Sequence, residues 1–213
     1  GYAALAVAIN AALSLKLDGS ELSILARLGS GSASRSVYGG FVEWQKGSKA
    51  DGSDSIAVQI ADENHWPQIR NVIAIVDSEK KKVSSRGGMA QTVATSKLFK
   101  ERMEFMDGRV EKMKEHVLKR DFESFANLAM LDSDNMHACM ADMKPRIVYL
   151  NDVSRKIMIN VRQLNDKEII CCYTFDAGPN AHLYTLEKNV PQVRKMLSKI
   201  SGVREVLVCK IGG

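Results

Sequence analysis

Three short stretches of this 213-residue chain gather residue types that could do chemistry on an anion. The first is Gly29-Ser30-Gly31-Ser32-Ala33-Ser34-Arg35-Ser36. Ser30 and Ser32 can donate to anionic oxygens, while Gly29 and Gly31 let backbone N–H groups come close. Arg35 offers a planar fork suited to a carboxylate or a phosphate. The second is Val83-Ser84-Ser85-Arg86-Gly87-Gly88-Met89, which leads into a helical pattern. The free N–H groups at such a helix start attract anions. The third is Thr174-Phe175-Asp176-Ala177-Gly178-Pro179-Asn180. A carboxylate placed where an apolar strand meets a Gly-Pro turn is expected to be partly desolvated and rigidly aimed. That suits a base, or an electrostatic role beside a reacting hydroxyl. Each stretch also has a plainer explanation: a flexible Gly/Ser loop with a solvated arginine, an N-cap serine, and a turn-forming aspartate. By residue type alone the chain reads as an anion-binding domain and no further.

The remaining reactive residue types add no second centre. His65, His116, His137 and His182 form no cluster along the sequence, and each fits a structural role more readily than a catalytic one. Cys139, Cys171, Cys172 and Cys209 make no CxxC pair and no zinc-type spacing with histidine. Adjacent cysteines in an apolar run read as buried thiols, which fits reducing surroundings such as the cytosol. No metal ligands are assigned. The ten methionines read as core filler.

Composition is that of an ordinary globular protein, 45% hydrophobic and 26% charged, with a formal net charge of +5. The excess of basic residues is mild. It fits a solvated surface or attraction to anionic substrates better than nucleic-acid binding, because no basic cluster is interleaved with aromatics. Residues 2–13 are apolar, but no basic residues precede them and no clear cleavage site follows. They are too few to span a bilayer and are expected to form a core helix.

The elements that must hold these stretches follow from periodicity. Helix is expected over 2–13 and again up to residue 28, with Ser20 as the cap of the second. Strands are expected over 41–45, 56–61 and 72–76. A long helix over 89–120 and a second over 121–140 come next, then a third after Pro145 with Ile147, Leu150, Val153, Ile157 and Val161 at helical spacing. Residues 167–175 read as a central strand, 181–186 and 203–211 as further strands, and 190–200 as a helix. Strands and helices are segregated more than alternated, so the fold class is α+β, with helices on one face of mainly antiparallel sheets. The change of character after Trp66-Pro67 marks a boundary.

Taken together and in order, these words resemble the diphosphomevalonate decarboxylase family of the GHMP kinase superfamily. The stretch from Gly29 runs on as Val37-Tyr38-Gly39-Gly40-Phe41-Val42-Glu43-Trp44. Ala57-Val58-Gln59-Ile60-Ala61, Trp66-Pro67, Val83-Ser84-Ser85 with Gly88-Met89, Thr92-Val93-Ala94-Thr95-Ser96, and Tyr173-Thr174-Phe175-Asp176-Ala177-Gly178-Pro179-Asn180-Ala181 follow. The resemblance implies an incomplete ribosomal-S5-like N-terminal domain over 1–68 and a ferredoxin-like α/β sandwich over 69–213. It implies ATP-dependent decarboxylation of (R)-5-diphosphomevalonate to isopentenyl diphosphate, with ATP as co-substrate and Mg2+, in a cytoplasmic homodimer. Asp176 and Arg35 would be the catalytic residues, and Ser30, Gly31, Ser32, Arg35, Ser84 and Ser85 would hold substrate. The Gly1-Tyr2-Ala3-Ala4-Leu5-Ala6 start resembles the helix that follows the family's ATP phosphate loop, and the family usually continues past Ile211-Gly212-Gly213, so the resemblance implies a chain lacking both ends. Where relatives commonly carry asparagine this chain has Asp134, to which no role is given. The alternatives are another GHMP small-molecule kinase, acting on mevalonate or phosphomevalonate, or a non-catalytic fragment.

Overall fold

The computed structural model describes residues 1–76 and 85–212. The chain divides into two compact units, Gly1–Pro67 joined by the chain end from Ile211, and Gln68–Lys210.

In the first unit α1 (Tyr2–Ala12) and α2 (Gly19–Gly29) lead into a 3₁₀ helix over Gly31–Val37 and an antiparallel pair, β1 (Phe41–Trp44) and β2 (Ala57–Ala61). The expected core helix forms, but its large apolar side chains are not buried: Tyr2, Leu5 and Leu13 are 54%, 55% and 66% exposed. Only Ala3 and Ala6 are buried, clustered with Ala26 of α2 and Ala33 of the 3₁₀ helix. Small side chains three apart make the face that lets the helices approach closely. The start of α2 is set by Asp18, not Ser20. The Asp18 carboxylate accepts from Glu21 N–H and the Glu21 carboxylate accepts from Asp18 N–H, a reciprocal box that leaves Ser20 inside the first turn.

The second unit runs β3 (Ile69–Ile75), α3 (Ser85–Thr95), α4 (Lys97–Lys119), α5 (Phe122–Asp142), α6 (Asp152–Leu164), β4 (Cys171–Phe175), β5 (Ala181–Leu186), α7 (Val190–Leu197) and β6 (Glu205–Cys209). Its sheet has the order β4-β5-β3-β6, antiparallel throughout. With strands renumbered along the unit, that is the split βαβ arrangement of ferredoxin-like sandwiches. Val72, Ala74, Tyr173, Phe175 and Leu183 of the sheet are buried with Ile157 and Val161 of α6 and Val193 and Leu197 of α7. Each large side chain so buried contributes about 1.5–3 kcal/mol. The fold is α+β, as the segregation of patterns predicts.

The long helix expected over 89–120 is two helices broken at Ser96. Ser96 Oγ caps α4 by accepting from Phe99 N–H at 3.1 Å. Asp142, at the end of α5, accepts from Ser96 Oγ, Lys97 N–H and Leu98 N–H at 3.0, 2.7 and 3.2 Å. These bonds satisfy donors that a helix start otherwise leaves open, so the break costs little. The cysteines behave as structural thiols. Cys139, Cys171 and Cys172 are buried, and burial pushes the Cys171 thiol up to about 12 and raises Cys172 further.

Candidate active site

The Arg35 stretch lies wholly in the first unit. Ser30 ends α2 in extended conformation, and its Oγ lies 3.0 Å from that of Ser32. Gly31 opens the 3₁₀ helix against Trp44, whose ring lies 2.5 Å from where a Cβ would stand. Ser34 is buried and donates to Gly31 C=O at 2.7 Å, closing the turn that turns Ser32 and Arg35 outward. What composition reads as a loose Gly/Ser loop is therefore a hydrogen-bonded turn, with two hydroxyls side by side and an exposed guanidinium one turn on. Arg35 lines a pocket of about 520 Å³ with Tyr38, Gly39, Gly40, Val42 and Gly212, a volume in the range of small-molecule sites. Gly40 has φ of +73°, and its N–H donates to Gly212 C=O at 2.7 Å. A Cβ at Gly40 would run into the Ala61 carbonyl and the Asp62 backbone, so glycine is required on both counts.

Asp176 belongs to the second unit. β4 is buried as far as Phe175, and Asp176 is the first exposed residue beyond it. The expected desolvation of this carboxylate is not present. Strand burial ends one residue too soon, at Phe175, and Asp176 stands beyond it. The expected rigidity is present, and it comes from the backbone. Gly178 N–H donates to Asp176 C=O at 2.7 Å, and Ser154 Oγ donates to Pro179 C=O at 2.8 Å. Asn180 Oδ1 accepts from Val76 N–H at 2.8 Å. On the near side, Phe175 N–H donates to Ser133 Oγ at 3.2 Å, and Phe175 C=O accepts from His137 Nε2 at 3.1 Å.

Ser84 lies outside the described residues, and Ser85 is the first residue of α3. Ser30, Gly31, Ser32 and Arg35 share one turn, whereas Asp176 and Ser85 are held by the other unit. Ser133 and His137 carry no signal of their own in the sequence. They stand one helical turn apart on α5, and only the packing of α5 against β4 brings them to the residue before Asp176.

A model of the mevalonate 5-diphosphate decarboxylase C-terminal domain matches residues 71–209, and one of the diphosphomevalonate decarboxylase-like N-terminal domain matches residues 1–57. The diphosphomevalonate decarboxylase of Candida albicans is 49% identical over 203 residues, which is 95% of this chain and 56% of that protein. That of Eremothecium gossypii is 48% identical over 96% of this chain and 52% of its own length, so the chain spans about half the length of the relatives it matches. Among solved structures, a mevalonate 5-diphosphate decarboxylase at 2.3 Å resolution superposes over 100% of this chain and 65% of its own, with TM-score 0.92 and 38% identity. MDDEF in complex with MVAPP, AMPPCP and magnesium superposes over 100% of this chain and 64% of its own, with TM-score 0.91 and 32% identity. Two domain models matched in chain order, one on each unit, with likeness of this depth in both sequence and fold, make the chain a member of the diphosphomevalonate decarboxylase family.

Proposed function

We propose that the chain contributes the substrate-binding turn and the reacting carboxylate of an enzyme that converts (R)-5-diphosphomevalonate and ATP to isopentenyl diphosphate, carbon dioxide, ADP and phosphate. The observation that carries the reading is the pinned turn at Asp176, a carboxylate presented to solvent on a backbone tied on both sides. The relatives named diphosphomevalonate decarboxylase, and the MDDEF complex with MVAPP, AMPPCP and magnesium, support it.

In this reading Asp176 takes the proton of the substrate's tertiary hydroxyl as its oxygen attacks the γ-phosphorus of ATP, and the bond to the ADP oxygen breaks. The phosphorylated oxygen then leaves with its electron pair as phosphate. The bond to the carboxylate breaks, its electron pair completes the alkene, and carbon dioxide departs. The charge of Asp176 favours the electron-poor carbon formed on the way. Arg35 holds an anionic end of the substrate in its fork, and Ser30 and Ser32 donate beside it; Ser84 and Ser85 are substrate-binding residues in the same proposal. Among the described residues no group of three or more His, Cys, Asp or Glu side chains converges. They offer a divalent cation no protein cage. Magnesium would be held mainly through the nucleotide phosphates, where it would offset their negative charge. The roles of Asp176 and Arg35 do not run through the ion. No helix among the described residues is long and apolar enough to cross a membrane. Residence in the cytoplasm and assembly as a homodimer are part of the same proposal.

Product analysis of the full-length protein with ATP and diphosphomevalonate tests the reading. The expected result is isopentenyl diphosphate and carbon dioxide in equal amounts with ADP. A stable phosphorylated product without carbon dioxide would assign the protein to a kinase activity instead.

A further inference from the structure

β4 is an edge strand of its sheet, paired on one side with β5, and Phe175 stands opposite Ala181. In an antiparallel ladder alternate residues turn both backbone groups away from their neighbour, and on an edge strand those groups need other partners. At Phe175 the partners are side chains of one helix turn. Ser133 Oγ accepts its N–H at 3.2 Å and His137 Nε2 meets its C=O at 3.1 Å. A carbonyl can only accept, so Nε2 carries the proton. The same turn reaches one pleat further back. Both Asp134 carboxylate oxygens, at 3.0 and 3.1 Å, accept from the Tyr173 hydroxyl, which also accepts from Arg162 at 2.9 Å. The His137 ring stands edge-on to Phe175 with centroids 6.2 Å apart. Ser133 and Phe175 are buried, so these bonds are shielded from competing water.

We propose that Ser133 and His137 are positioning residues for Asp176. Together they grip both backbone groups of the residue before it, and so fix where its Cα, and hence its carboxylate, stands. The inference rests on Asp176 being the reacting carboxylate. No side-chain contact of Asp176 is needed. An exposed carboxylate can be aimed by its backbone alone if that backbone cannot shift.

The test is steady-state kinetics on the full-length protein with ATP and diphosphomevalonate, alongside thermal unfolding and amide hydrogen exchange. His137→Phe keeps a ring but loses the donor, whereas His137→Gln keeps an N–H at similar reach. Ser133→Ala loses the acceptor. Thr185→Val is the control, because it removes a buried bond of the same sheet, Thr185 Oγ1 to Ile170 C=O at 2.7 Å, away from the turn. A displacement of about 1 Å costs on the order of 100-fold, so His137→Phe is expected to lower kcat by roughly that factor. KM should stay within about threefold, since ground-state binding is untouched. His137→Gln should regain roughly tenfold or more of the loss. Ser133→Ala should lower kcat about tenfold and speed exchange of the Phe175 amide, while the β5 amides stay protected. Thr185→Val should lower the melting temperature with kcat within about twofold of the parent. Should His137→Phe and Ser133→Ala keep the parent kcat while Asp176→Ala abolishes turnover, the positioning role is overturned and the assignment of Asp176 stands. Normal turnover by Asp176→Ala would overturn both. Loss of kcat in Thr185→Val, in step with its melting temperature, would reduce the effect to general stability and overturn the positioning role. If His137→Phe does not fold, Ser133→Ala decides: unchanged kcat and unchanged exchange at Phe175 overturn the proposal.

Discussion

Arg35 and Asp176 illustrate two ways of aiming a charged side chain. Arg35 projects from a hydrogen-bonded turn into an open pocket, and its value lies in the fork. Lysine keeps the charge but not the paired donors, so Arg35→Lys is expected to lower kcat/KM for diphosphomevalonate on the order of 30-fold, read from initial rates on the full-length protein. Asp176 depends on His137, which has a pH signature. Burial holds the His137 imidazole below its ordinary 6.5, outweighing the Phe175 carbonyl bond and the charges of Asp134 and Asp176, which pull the other way. The unfolded chain therefore takes up a proton at this residue before the folded one does. The stabilising contribution is complete above pH ~6.5 and is lost as pH falls from there through the depressed folded value. Chemical denaturation across this window should show a steeper fall in stability for the parent than for His137→Gln. The Arg35 and Asp176 words are legible in the sequence because their residue types cluster within a few positions. Ser133 and His137 are not, because a serine and a histidine four apart on a helix mean nothing until a particular strand edge lies beside them.

The elements themselves are largely legible, and the misreadings have local causes. Periodicity continues through Ser96, so residues 89–120 read as one helix. The break is made by Asp142, 46 positions further along the chain and invisible to any local pattern. Ser96→Ala removes both the cap of α4 and one of the bonds that tie Asp142 to it. About 1 kcal/mol of destabilisation is expected from the lost cap, measured as a lowered denaturation midpoint at unchanged m-value. The cap of α2 moved from Ser20 to Asp18 because Glu21 completes a reciprocal pair only with the earlier residue. The apolar face of α1 shows the limit of composition. A run of Tyr, Leu, Val and Ile specifies a helix that wants burial, but Ala3 and Ala6 decide which face is buried here. The last strand shows the same economy of signal, since Glu205–Cys209 forms the opposite edge of the sheet with Val206 and Cys209 half-buried and Leu207 and Val208 exposed.

At the scale of the molecule, the segregation of strands and helices is sufficient for the α+β class, and the sheet order β4-β5-β3-β6 adds the topology that pattern alone does not carry. The chain puts the Ser30–Arg35 turn and the Asp176 turn on different units, each stiffened by its own hydrogen bonds. In the proposed function Asp176 is the reacting carboxylate of an ATP-dependent decarboxylase. The most direct test of that role is the release of labelled carbon dioxide from carboxyl-labelled diphosphomevalonate by the full-length protein and its Asp176→Asn variant, which keeps the shape but loses the charge and the proton acceptor. The expected result is a loss on the order of 1,000-fold or more in kcat, from the missing base and the missing charge together, with substrate still bound. Release of carbon dioxide by Asp176→Asn at the parent rate would contradict it.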